Sequence, residues 1–78
     1  MTHIATFFSH FGAIRFKRTC DEKGWSARVM PVPRDLSSSC GTCVRYEGEV
    51  PRPIPEEVEQ IVAQADGKYR LLYRAEDS

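Results

Sequence analysis

The chain has 78 residues, and eleven Lys and Arg balance eleven Asp and Glu, so the formal net charge is zero. No apolar run approaches the roughly 20 residues of a membrane-spanning helix, and the first residues do not resemble a secretion signal. A neutral balance argues against nucleic-acid binding. A chain this short holds one small core and little enclosed pocket space. We therefore expect one cytoplasmic domain with neither a membrane nor a nucleic-acid partner, and a binding or carrier module ahead of an enzyme.

Charge is unevenly distributed along the chain. Residues 1–34 contain six basic and two acidic side chains, whereas residues 35–78 contain five basic and nine acidic ones. Such a split can orient a partner protein on a dipolar surface. The alternative is that each half simply exposes charged faces to water.

The first third of the chain predicts a strand and then a helix. Residues 4–8 are apolar, β-branched and aromatic, as in a buried strand. Ser9 suits a helix N-cap, residues 10–23 follow a helical pattern, and Gly24 suits the left-handed position after a helix. The apolar face of this helix comprises Ala13, Phe16 and Cys20.

The middle of the chain predicts two strands joined by a polar loop. Residues 25–30 alternate between apolar and polar side chains, and prolines then end the strand. A loop rich in small polar residues covers 34–41. Alternation resumes over residues 42–47, which place Thr42, Val44 and Tyr46 on one face and Cys43, Arg45 and Glu47 on the other.

The last third predicts a second helix and a final strand. Pro55 suits the first helical position, and the acidic residues after it suit the positive end of the helix dipole. An apolar stripe at helical spacing follows, formed by Val58, Ile61, Val62 and Ala65. Gly67 would end this helix, residues 69–73 form a strand, and 74–78 a flexible tail, which leaves a core of about 3–73. The pattern predicts an α+β fold, a ferredoxin-like βαββαβ sandwich with a four-stranded antiparallel sheet and two helices on one face.

Cys40-Gly41-Thr42-Cys43 is a C-x-x-C motif, for which four kinds of chemistry compete. A dithiol redox pair is possible, but Cys43 begins a strand and lacks the activating helix N-terminus. Zinc or an iron–sulfur cluster needs four ligands, which one chain supplies poorly. The fourth is a single reactive thiol, Cys40, that accepts and passes on a sulfur-like atom. We predict no bound metal or cofactor in the monomer.

The loop itself favours the single reactive thiol. Amides near Ser38, Ser39, Cys40 and Gly41 can form an anion-binding nest, serine hydroxyls can donate to a thiolate, and Arg34 can add positive charge. The alternative is a polar turn with an inert cysteine. Other candidates are assigned simpler roles. Cys20 and Cys43 are expected to be buried, His3 and His10 to lie at the surface or strand ends, and Phe7, Phe8, Phe16 and Trp25 to form core.

Residues 32–46, VPRDLSSSCGTCVRY, resemble the signature of the selenium/sulfur carrier protein-like family, a small bacterial domain of unknown function. The upstream stretch TFFSHFGAIRFKRTCDEKGW matches the same family, so the resemblance covers roughly residues 3–73. P-V-P-R followed by S-S-S-C-G is far more specific than a bare C-x-x-C.

The resemblance implies that Cys40 carries sulfur or selenium as a persulfide or perselenide. The donor would be like a cysteine desulfurase or selenocysteine lyase, and the acceptor could be a selenophosphate-forming enzyme. Gly41 would be the flexible neighbour, and Arg34, Ser37, Ser38 and Ser39 would tune the thiol. Cys43 could release sulfide by attacking the Cys40 persulfide. A dithiol module using Cys40 and Cys43, and a regulatory interaction domain, remain as alternatives.

Overall fold

The computed structural model describes residues 2–76. Five strands and one helix follow one another along the chain: β1 Thr2–Phe7, α1 His10–Glu22, β2 Ser26–Pro31, β3 Thr42–Glu47, β4 Val58–Ala65 and β5 Lys68–Arg74. The strands form one sheet in the order β2-β3-β1-β4-β5, and every neighbouring pair is antiparallel. The prediction of a ferredoxin-like sandwich with four strands and two helices is therefore wrong, because the described chain has five strands and a single helix.

The first helix forms where the sequence predicts it. Ser9 has extended backbone angles, and its hydroxyl accepts a hydrogen bond from the Gly12 amide at 3.3 Å. Gly24 closes the helix with a φ of +78°, the left-handed conformation that glycine adopts without strain. Gly12 lies so close to β4 that a Cβ there would meet the Glu57 side chain at 2.6 Å. The helix start is therefore packed tightly onto the segment that leads into β4.

Apolar side chains cover both faces of the sheet. The helix-side cluster contains Ala5, Phe7, Ala13, Phe16, Cys20, Val44, Tyr46, Val58 and Ile61. The loop-side cluster, on the opposite face, contains Ile4, Cys43 and Val62, with Met30, Val32, Leu36 and Tyr69 packed against it. The face assignment predicted for β3 is confirmed, since Val44 and Tyr46 join the first cluster and Cys43 joins the second.

The predicted second helix is instead strand β4. Residues 60–63 are buried consecutively, because β4 pairs with β1 on one side and with β5 on the other. Ile61 packs into the helix-side cluster while Val62 packs into the loop-side cluster. A strand that is buried on both faces does not alternate between apolar and polar residues. The resulting run of apolar residues includes the positions that a helical stripe would occupy.

A two-residue turn joins β4 to β5. Ala65 pairs with Lys68, and the intervening Asp66 and Gly67 have φ values of +53° and +72°. Positive φ at both central positions is the type I′ geometry that hairpins prefer, with Asp-Gly among its favoured sequences. Gly67 therefore has the left-handed conformation expected of it, in a hairpin turn and not at a helix end.

The segment 48–57, between β3 and β4, covers part of the core that a second helix would have covered. Pro51 is buried, and the half-buried Val50 and Ile54 pack against the helix-side cluster. We call this segment the connector. The Phe8 amide donates to the Glu57 carbonyl at 3.1 Å, which ties its end to the turn after β1.

Three smaller predictions about side chains and the chain end need correction. Phe8 is 48% exposed and is not part of the core. His3, expected at the surface or at a strand end, lies at the start of β1 but is buried rather than exposed, and it stacks on Tyr46 at 5.2 Å between ring centroids. Arg74 belongs to β5, and the Ala75 amide donates to the Glu59 carbonyl, so the expected flexible tail does not begin at residue 74. The rest of that prediction, Asp77 and Ser78, lies outside the described residues.

Within residues 2–76, the single helix falls short of the length and apolar character needed to cross a membrane.

Candidate functional site

Cys40 lies near the end of the segment 32–41, which joins β2 to β3 and which we call the cysteine loop. The Val32 amide donates to the Gly41 carbonyl at 3.0 Å, so the loop closes on itself beside the sheet. Gly41 has a φ of +76° with open space around it, and it turns the chain directly after Cys40. The Cys40 side chain is half-buried against the helix-side cluster, and its thiol donates to the Thr42 carbonyl at 3.5 Å.

Glu59 of β4 is the main anchor of the cysteine loop. Its carboxylate accepts hydrogen bonds from the Ser39 hydroxyl at 2.6 Å and from the Ser39 amide at 3.1 Å. It also accepts one from the Thr6 hydroxyl of β1 at 3.1 Å. Partial burial acts to raise the pKa of Glu59, but the hydrogen bonds from Ser39 and Thr6 outweigh it and lower this pKa below its usual value. The carboxylate is thus held in its charged form as the acceptor for the loop.

Further hydrogen bonds fix the loop on both sides of Ser39. The Gln60 amide donates to the Ser37 carbonyl at 2.7 Å, and the Ser38 hydroxyl donates to the Phe7 carbonyl at 3.5 Å. The three serines that precede Cys40 therefore contact β1 and β4. In the described structure their polar groups anchor the loop to the sheet, whereas the hydrogen bond of the Cys40 sulfur goes to Thr42.

The start of α1 reaches the same end of the sheet. His10 Nδ1 and Thr42 Oγ1 form a hydrogen bond of 3.3 Å. Because Thr42 also accepts the Cys40 thiol through its carbonyl, the first turn of the helix and the reactive-thiol candidate meet at one residue. Arg34 takes no part in these hydrogen bonds. It is exposed in a turn in which the Leu36 amide donates to the Pro33 carbonyl, and the described residues give it no salt bridge.

The two cysteines of the C-x-x-C motif face different surroundings. Cys43 is fully buried in the loop-side cluster, where its thiol donates to the Pro31 carbonyl at 3.7 Å, whereas Cys40 packs on the helix side. Burial raises the pKa of Cys43 to about 11, with a smaller contribution from Cys40. Both cysteines are free thiols. The motif therefore combines one partly exposed cysteine, Cys40, with one that is shielded from solvent, Cys43.

Cys20 occupies the core position that the sequence predicts. It is fully buried beneath α1, and burial raises its pKa to about 11. Of the three cysteines, only Cys40 has solvent exposure. Among residues 2–76 no group of three or more His, Cys, Asp or Glu side chains is arranged to hold a metal ion.

Comparison with known proteins gives the family of this chain. The family model described as "Putative Se/S carrier protein-like" matches residues 2–74, nearly the whole chain. The chain belongs to this Se/S carrier-like family. It is 33% identical over 70 residues to the uncharacterized protein YtiA of Escherichia coli (strain K12), an alignment that covers 85% of this chain and 82% of YtiA. No solved structure matches the chain.

Glu59 and Gln60 contact the candidate site of this Se/S carrier-like chain, and the sequence analysis does not identify either of them. The sequence pattern predicts that both lie on the second helix, whose acidic first turn suits the helix dipole. A signal for the true structure was present in the Asp66-Gly67 pair, which marks a hairpin and turns the preceding apolar run into a strand. Even so, the pairing of Glu59 with Ser39 spans 20 positions of sequence and is visible only in the folded chain.

Proposed function

We propose that this protein carries sulfur or selenium on Cys40 between a donor and an acceptor protein. The observation that carries the proposal is the contrast among the three cysteines: Cys20 and Cys43 are fully buried, while Cys40 is partly exposed in an anchored loop. Membership of the Se/S carrier-like family supports the carrier role. A carrier needs one thiol that meets its partners and can be recovered unchanged after each transfer.

The loading step is a thiol exchange. The Cys40 thiolate attacks the terminal sulfur of a donor persulfide, R–S–SH, because the thiolate is the nucleophilic form. A sulfur–sulfur bond forms on Cys40, the donor sulfur–sulfur bond breaks, and the donor leaves as a thiolate, R–S⁻. Charge and atoms balance, since Cys40–S⁻ and R–SSH become Cys40–SSH and R–S⁻. With selenium, the transferred atom moves in the same way and Cys40 holds a perselenide.

The cysteine loop holds the sulfur at a defined place during this exchange. Glu59 holds Ser39, the residue before Cys40, by a hydrogen bond. Gly41, the residue after Cys40, is surrounded by open space. Loading would come from a cysteine desulfurase-like or selenocysteine lyase-like donor, and delivery would go to a selenophosphate-forming or other acceptor. In this proposal Arg34, exposed on the loop, meets the partner, and Cys43 at most assists release.

Cysteine substitution tests the proposal directly. The Cys43→Ser protein, incubated with a cysteine desulfurase and cysteine, is expected to gain the mass of one sulfur atom, which a thiol reductant removes. The Cys40→Ser protein is expected to gain none, although Cys43 is intact. Intact-protein mass spectrometry before and after reduction makes the measurement.

Cys20→Ser is the matched control, because Cys20 is as buried as Cys43 and lies outside the motif. It should load sulfur as the wild type does. If both Cys40→Ser and Cys43→Ser stay unmodified while the wild type forms an internal disulfide, the carrier proposal is wrong and a dithiol redox module replaces it.

A further inference from the structure

A groove runs between α1 and the edge of the sheet, away from the contacts that anchor the cysteine loop. It has a volume of about 440 Å³ and lies between the helix and strand β2. We call it the α1–β2 groove. The residues that line it are Ile14, Lys17, Arg18, Asp21, Ala27, Arg28 and Val29.

One wall of this groove is a sheet edge with an unpaired side. β2 is the first strand in the sheet order and pairs with β3 alone among the described strands. The outer edge of such a strand presents backbone N–H and C=O groups that can pair with another extended chain. Recognition by strand addition uses these backbone groups for affinity and neighbouring pockets for side-chain specificity. The groove therefore suits an extended segment.

The groove also exposes apolar side chains. Val29 of β2 is 37% exposed and Ile14 of α1 is 42% exposed. Phe11, three positions before Ile14 and so on the same side of the helix, is 72% exposed. A segment lying along β2 would cover these side chains with every second residue, because alternate side chains of a strand share a face.

The charges around the groove are mainly basic. Lys17 is paired with Asp21 at 2.8 Å, which neutralises both. The salt bridges of the described residues leave Arg18 and Arg28 without an acidic partner. Arg28 also lies directly opposite Arg45 in the β2–β3 register, an arrangement of like charges that is unfavourable in an isolated sheet. An acidic segment would supply the missing negative charge.

The two elements that form the groove continue beyond one of its ends toward Cys40. The last residue of β2, Pro31, pairs with Thr42, and His10 at the start of α1 is hydrogen-bonded to the same threonine. The Thr42 carbonyl in turn accepts the Cys40 thiol at 3.5 Å. Both walls of the groove therefore converge on the residue that contacts the carrier sulfur. A segment bound along β2 would be led toward that sulfur.

We propose that the α1–β2 groove binds an extended acidic segment of the protein that exchanges sulfur or selenium with Cys40, and that the segment adds to the sheet as a strand beside β2. This inference rests on the proposed carrier function. The bound segment alternates apolar residues, which face α1 and cover Ile14 and Val29, with acidic residues, which lie on the opposite face of the sheet and pair with Arg28. Its end at Pro31 places the reacting group of the partner next to the cysteine loop.

Titration with a short blocked peptide of alternating Val and Glu tests the groove. We expect the backbone amide signals of residues 26–30 and of Ile14 to shift in NMR spectra of the ¹⁵N-labelled protein, and the β2 amides to become protected from hydrogen exchange. Two matched peptides serve as controls. A peptide with Lys in place of Glu should bind more weakly, and a peptide N-methylated at alternate residues should lose the strand pairing.

Variants of the protein locate the binding surface. Arg28→Glu is expected to weaken binding of the Val/Glu peptide by about fivefold, the effect of roughly 1 kcal/mol for a surface charge pair. Arg70→Glu, a like charge reversal at an exposed site on β5, is the control and should change nothing. Ile14→Glu should likewise weaken binding, whereas Leu72→Glu, at a residue with the same 42% exposure, should not.

Two measurements separate this inference from the carrier function. Loading of Cys40 by inorganic polysulfide needs no docked protein, so Arg28→Glu should leave it unchanged. If Cys40 loads but the peptide leaves residues 26–30 unmoved, or the Lys peptide binds equally well, the groove inference is wrong. If the peptide binds but Cys40 never loads, the carrier function is wrong. Concentration-dependent shifts of β2 without peptide would assign the groove to a second copy of the chain and overturn the proposal.

Discussion

The cysteine loop and the connector are the two long irregular segments of this domain, and they are held to the sheet in opposite ways. The cysteine loop is fixed at Ser37, Ser38 and Ser39 by hydrogen bonds to β1 and β4. The connector is fixed by apolar side chains that pack on the helix-side cluster, with Pro51 fully buried. Water can replace a hydrogen bond at small net cost, whereas exposing apolar surface has no such compensation.

This difference suits the two segments to different tasks. A loop held by polar contacts can open locally at a free energy well below that of global unfolding. The connector closes the core and cannot move without exposing it. The segment that presents Cys40 is thus the one whose attachments can be exchanged for contacts with a partner.

Thiol labelling should show the largest effect. Cys40 is expected to react with iodoacetamide at least about 100-fold faster than Cys20 or Cys43 at pH 8, because the other two thiols are shielded. At this pH a thiol with a pKa of about 11 is only about one part in a thousand thiolate. Peptide mapping by mass spectrometry measures the three rates. Labelling in denaturant should make them equal, and equal labelling in the folded protein would remove the distinction between the cysteine loop and the core.

Truncation in the connector should have the next largest effect. Ile54→Ala is expected to lower the free energy of unfolding by about 1–2 kcal/mol, less than for a fully buried isoleucine because Ile54 is half-buried. Chemical denaturation followed by circular dichroism measures it. Leu72→Ala, at an exposed position outside the connector, is the control and should cost less than about 0.5 kcal/mol.

Removing the charge of the loop anchor should have a smaller effect on global stability. Glu59→Gln is expected to lower the free energy of unfolding by about 1 kcal/mol at pH 7, because a charged acceptor for Ser39 and Thr6 is lost. The Ser39 amide should also exchange its hydrogen faster. A loss greater than that of Ile54→Ala would contradict the contrast between the two segments.

The same variant has a defined pH dependence. The pKa of Glu59 is lower in the folded state than in the unfolded chain, so its stabilising effect is present above the ordinary carboxyl pKa of about 4.3. The effect is lost as the pH falls through the lowered folded-state value. The difference between wild type and Glu59→Gln should therefore shrink as the pH is lowered below about 4. Glu56→Gln, at an exposed neighbouring site, should show no such trend.

The sequence predicts the first half of the fold, in which local signals mark the elements and their ends. Residues 10–23 expose a polar face and bury Ala13 and Phe16, and β3 alternates between buried and exposed side chains from Val44 to Glu47, so helical and strand periods are visible in the two elements. Ser9 and Gly24 mark the helix ends by local chemistry. The position of Cys40 between β2 and β3 followed from the same local signals.

The second half could not be predicted from periodicity because β4 has no solvent face along most of its length. Ile61 and Val62 are both buried, on opposite faces, where a bulge in the pairing with β5 separates them. Adjacent buried residues fit a helical stripe as well as a central strand. The anchoring role of Glu59 depends on that strand being in place, so it was hidden by the same error.

Trp25, the single tryptophan of the chain, lies at the start of β2, whereas Cys40 lies near the other end of this strand. Its indole stacks on Tyr46 at 5.6 Å, and Gly48 approaches so closely that a Cβ there would meet the ring at 2.4 Å. Fluorescence emission from this indole is therefore expected to report on the packing of the sheet at the end of β2 away from the cargo on Cys40. Loading and unfolding can accordingly be followed in one sample as two independent signals.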